Sequence, residues 1–127
     1  MPVIMQENKI KLWNECSEKE LRQLSQLFDD MMPYYQRIAV YNINMEFVAG
    51  HKTQCVRLAL AARKVTLESE DVKPEEAIFS DEIFSKLITS AWKECFSDDD
   101  RVFFNANLQQ AAECFRMGIM MADLPQV

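Results

Sequence analysis

Glycine and proline are scarce in this chain, with 2 and 4 of them among 127 residues. Sandwiches, barrels and phosphate-cradling loops depend on turn glycines, so the shortage argues against them and for helices. Histidine is scarcer still: His51 stands alone, which excludes any site requiring two. A membrane span needs about 20 apolar residues, whereas the longest stretch without a charged residue, 102–112, has eleven. The opening Met1-Pro2-Val3-Ile4-Met5-Gln6-Glu7 has neither a basic start nor an apolar run of signal-peptide length. A cytoplasmic protein with no membrane attachment is expected.

The usual catalytic signatures are also missing. No HExxH, GxSxG, GxGxxG or Walker-type sequence occurs, and each of those depends on geometry that other residues rarely supply. Cys16, Cys55, Cys95 and Cys114 are separated by 39, 40 and 19 residues, without a CxxC pair. Structural zinc sites normally use close-spaced pairs. A chain of this length buries enough surface to fold without disulfides, so reduced thiols are expected, three of them on apolar helix faces. Asp98-Asp99-Asp100 fails as a calcium loop, because positions six and twelve hold Phe103 and Gln109 instead of glycine and glutamate. The expectation is no catalytic residue, no metal, no cofactor and no enzymatic activity.

What the chain has is acid, unevenly placed. Its net charge is −6 and its pI near 4.8. Residues 1–36 carry net −2, 37–64 net +4, 65–100 net −8 and 101–127 net zero. The apolar share of 49% is that of a folded protein and not of a solvated tail.

Periodicity and punctuation predict an all-α fold, a single domain over residues 1–127 built as a bundle of about five helices. The predicted helices cover 17–31, 34–49, 53–67, 75–96 and 99–121. Ser17 and Glu20 form a capping-box pair ahead of Leu21, Leu24, Leu27, Phe28 and Met31. Pro33 is expected to end that helix. Tyr34, Ile38, Tyr41, Met45 and Val48 then follow at helical spacing, although 40–48 also alternates as a strand would. Gly50-His51 marks a break. Ala59, Ala61 and Ala62 allow a neighbouring helix close. Pro74-Glu75-Glu76 and Ser97-Asp98-Asp99-Asp100 read as helix starts, with acids matching the positive end of the helix dipole. Phe104, Leu108, Ala111, Phe115, Ile119 and Ala122 form the last stripe.

Three features bear on function. Lys52, Arg57, Arg63 and Lys64 lie in one helical stretch; they read either as phosphate contacts of a nucleic-acid-binding regulator or as partners for acids across the bundle. The acidic remainder opposes approach to nucleic acid and favours the second. Met117, Met120 and Met121 crowd the final turns, as flexible core filling or as an adaptable binding surface. Glu68, Glu70, Asp71, Glu75, Asp81, Glu82, Asp98, Asp99 and Asp100 are the candidate partner-binding residues. More of them are present than helix capping needs, and they repel one another. The expected function is that of a small acidic binding protein that occludes a basic protein partner. Immunity proteins and antitoxin-like inhibitors of bacterial nuclease toxins have this general character, and a toxin nuclease domain is the expected partner. Nucleic acid is not.

Overall fold

A computed structural model, describing residues 17–38, 43–69 and 71–123, closes the Ser17 capping box on both sides. Ser17 Oγ accepts from the Glu20 amide at 3.2 Å, and Glu20 Oε1 accepts from the Ser17 amide at 3.2 Å. The helix it opens, α1 (Glu18–Ile38), buries Leu24, Phe28 and Met31 as the spacing requires. It does not end at Pro33. The proline lies inside α1 on an exposed face, so its ring meets solvent while its neighbours Met32 and Tyr35 go into the core at 2% and 0% exposure. Burying those two side chains offsets the missing amide hydrogen bond, whose loss costs about 3 kcal/mol in a helix interior.

The single helix expected over 34–49 is therefore replaced by two pieces. Residues 39–42, Tyr41 among them, lie outside the described residues. Asn44 is extended and caps α2 (Met45–Gly50), its Oδ1 accepting from the Glu46 and Phe47 amides at 2.9 and 3.2 Å. No strand occurs among the described residues of 40–48. His51 breaks the chain as expected, and α3 (Lys52–Glu68) follows.

Two further long helices are split by residues whose side chains bond to nearby backbone. Ser80 caps α5 (Asp81–Glu94), its Oγ accepting from the Ile83 amide at 3.3 Å, and thereby separates it from α4 (Pro74–Phe79). Asn107 separates α6 (Asp98–Ala106) from α7 (Leu108–Met121), and its side-chain amide donates to the Phe103 carbonyl at 3.2 Å. That break resets the helical phase, which leaves Leu108 58% exposed although the stripe predicted it buried. The fold is all-α, as expected, but with seven helices among the described residues.

α3 and α7 form the centre of the bundle. Gly118 sits so close to Ala59 that a Cβ built on it would lie 2.1 Å from the Ala59 carbonyl oxygen. One turn on, Arg63 Nε donates to the Met121 carbonyl at 3.4 Å. The contacts advance together along both helices, so the two run parallel. The small residues of α3 serve the close approach that the sequence predicted. α1 packs on α7, α5 on α3, and α4 on α5 and α7. Met117, Met120 and Met121 are at most 3% exposed. They fill the core and offer no binding surface.

Candidate functional site

The acids divide by position. Asp71, Glu75, Asp81 and Glu82 are exposed on the 69–73 connection and on the first turns of α4 and α5. Asp98 and Asp99 are exposed on the first turn of α6. A helix rises about 1.5 Å per residue, so the 14 residues of α5 separate its first turn, with Asp81 and Glu82, from its last, where α6 starts, by about 20 Å; Asp71 lies between, three residues beyond Glu68. Glu68 belongs with the second group. It pairs with Lys64 at 3.1 Å, and the charges of Lys64, Glu68 and Glu94 all act on the Cys95 thiol at the end of α5. Partial burial pulls the Lys64 ammonium down, but the hydrogen bond and charge of Glu68 outweigh it and hold it above the ordinary lysine value. Glu70 lies outside the described residues.

Asp100 is set apart from the rest. At 4% exposure it is buried. Its carboxylate accepts from the Ser97 amide at 3.3 Å while Ser97 Oγ accepts from the Asp100 amide at 3.2 Å, a closed capping box. Oδ1 also receives Arg57 at 3.4 Å. These bonds commit Asp100 to the fold, so it offers no charge at the surface.

Among the described residues, Asp71, Glu75, Asp81 and Asp99 carry no ion pair, whereas Glu82 and Asp98 pair with Lys86 and Arg101 at 3.6 and 3.4 Å. The basic stretch is differently placed. Lys52 pairs with Asp29 at 2.9 Å, Arg57 with Asp100 and Lys64 with Glu68, while Arg63 is 1% exposed. Burial pulls the Arg63 guanidinium down from its ordinary value.

A buried polar cluster escaped sequence reasoning. Tyr35 donates its hydroxyl to Glu113 Oε1 at 2.5 Å, and Arg116 lies 4.0 Å from the centre of the Phe84 ring. Burial raises the Glu113 carboxyl, against the Tyr35 bond and the Arg116 charge. Burial, then Glu113, raises the Tyr35 phenol. The signal was available: Glu113 and Arg116 sit three apart, flanking apolar positions of the last stripe. His51 stacks on Phe47 with ring centres 4.4 Å apart, and its Nδ1 lies 3.0 Å from the Phe47 carbonyl. Cys55, Cys95 and Cys114 are buried free thiols, with Cys114 pushed up by its hydrogen bond to Cys55 and by burial.

The acidic end at α4 and α5 also has a shape. An open groove of about 880 Å³ runs between Pro74, Phe79 and Ile83, with Glu75, Glu76, Lys73 and Asp123 around it. Phe79 is 51% exposed there. Among the described residues no group of three or more histidine, cysteine or carboxylate side chains is placed to hold a metal ion, and no helix is long and apolar enough to cross a membrane. Comparison of the chain with protein-family models, with curated proteins and with solved structures finds no match.

Proposed function

We propose that this protein is a small acidic binding protein that neutralises a basic protein partner by occlusion, in the manner of an immunity protein or an antitoxin-like inhibitor of a bacterial nuclease toxin. One observation carries the reading. Among the described residues, exposed Asp81 and Asp99 at the two ends of α5 stand without an ion pair, while the cations of α3 are paired with acids or buried. Helix starts benefit from one or two acids each, by about 0.3–1 kcal/mol apiece. That accounts for Glu75 and Asp99 but leaves Asp71 and the doubled acids unexplained. A cationic surface offsets their mutual repulsion, and such carboxylates imitate the phosphates a nuclease binds, steer the encounter and fix its register. A standard footprint of about 800 Å² per partner is about 30 Å across, which takes in both ends of α5. The alternative, a nucleic-acid regulator using residues 52–64, has less support, because those cations are committed within the bundle.

The reading is tested by photo-crosslinking from position 81 in the source cell, followed by purification of the captured protein. A cationic partner whose activity, nuclease activity in the first instance, is lost at equimolar binding supports it. A partner that keeps its full activity in the complex contradicts it.

A further inference from the structure

We propose that the groove around Phe79 receives a cationic segment of the partner that presents one large apolar side chain between lysine or arginine residues. The proposal rests on the reading above and assigns the anchor point within it. Phe79 ends α4, and the next residue, Ser80, is held as the cap of α5. Phe79 therefore sits at a helix junction and stays 51% exposed, though burying a phenylalanine is worth about 1.5–3 kcal/mol. Pro74 and Ile83 continue the apolar floor, and the carboxylates of Glu75, Glu76 and Asp123 outnumber the single ammonium of Lys73 at its rim. An apolar anchor within a polar rim is the usual make-up of an interface hot spot, and rim charges of one sign select a partner of the other.

Two other hollows lack this combination. The one beside Leu21 and Val56 is about 140 Å³ and is lined by Lys52 and Arg57. The one beside Trp92 and Phe104 is about 250 Å³ and is lined by Lys93, with no carboxylate. The acids of α4, with Asp123, and an exposed aromatic coincide at Phe79.

The test is a two-dimensional amide NMR titration of the full chain with a synthetic peptide of about ten residues, a single tryptophan flanked by lysines and arginines. Shifts are expected to centre on Glu75, Phe79, Ile83 and Asp123. Phe79→Ala, and separately Glu75→Lys with Glu76→Lys, should each weaken binding about tenfold, with circular dichroism unchanged. Asp98→Lys with Asp99→Lys should change it by less than about twofold. Shifts centred instead on Asp98 and Asp99 would overturn the groove while leaving the acidic reading in place. Absence of binding at either end would remove both. Equal affinity for a peptide with serine in place of tryptophan would eliminate the apolar anchor. A dimer that Phe79→Ala dissociates would make a second copy the occupant and overturn the proposal.

Discussion

Asp100 and Asp99 are neighbours with opposite duties. Asp100 caps α6 and receives Arg57 in the interior, whereas Asp99 is exposed. Asp100→Ala should cost about 1–3 kcal/mol in urea unfolding, since it removes a cap and the ion pair that Asp100 makes with the part-buried Arg57. Asp99→Ala should cost less than about 0.5 kcal/mol. Equal costs would put the carboxylates in equivalent surroundings. Three consecutive acids do not reveal which of them is buried, because the burial of Asp100 depends in part on Arg57, 43 positions away. Glu113 makes a second residue-scale prediction. Burial raises its carboxyl in the folded state, so the native protein holds this proton more tightly than the unfolded chain does. Stability from this group is greatest below the unfolded carboxyl range, and is lost as pH rises through the raised folded value. Glu113→Gln lacks that loss. The variant should gain stability relative to the parent as pH rises across this window, and parallel stability profiles would contradict the assignment.

At the scale of elements, strong capping signals were legible and weak ones were not. The box at Ser17, the helix start at Ser97, the break at His51 and the proline start of α4 are legible in local residues and stand in the structure. Ser80 and Asn107 went unread because apolar spacing runs through them, and one side-chain hydrogen bond decides against continuity. Pro33 was read as a stop because its local cost is plain, while the compensating burial of Tyr35 depends on α7. Pro33→Ala should restore an amide to α1 and raise stability by about 1 kcal/mol, the greater freedom of the unfolded chain cancelling part of the helix gain. Loss of stability would mean that the ring has a packing role. The α3–α7 crossing gives the sharpest element-scale prediction. Gly118→Ala places a methyl 2.1 Å from the Ala59 carbonyl oxygen and 2.6 Å from its Cα, both backbone atoms. The helices must separate, at a cost of about 3 kcal/mol measured by urea or thermal unfolding. A near-neutral result would contradict the parallel close approach.

Over the whole molecule, the sequence reading placed the acids in one segment, and folding distributes them to the two ends of α5. Linear charge counting could not see that division, since it follows from the Ser80 break and from α6 starting at the far end. It could not see Phe79 as exposed either, because an aromatic in an apolar run is ordinarily core. The central claim is that these surface acids draw in a basic protein. It is tested most directly by stopped-flow association of the purified partner with the parent chain and with the Asp81→Lys, Glu82→Lys variant, at low and at physiological salt. Screening at physiological ionic strength acts over about 8 Å. The account predicts that the parent associates more slowly as salt rises, that the variant is slowed about tenfold or more at low salt, and that the two rates converge at high salt. Identical rates for parent and variant, insensitive to salt, would contradict it.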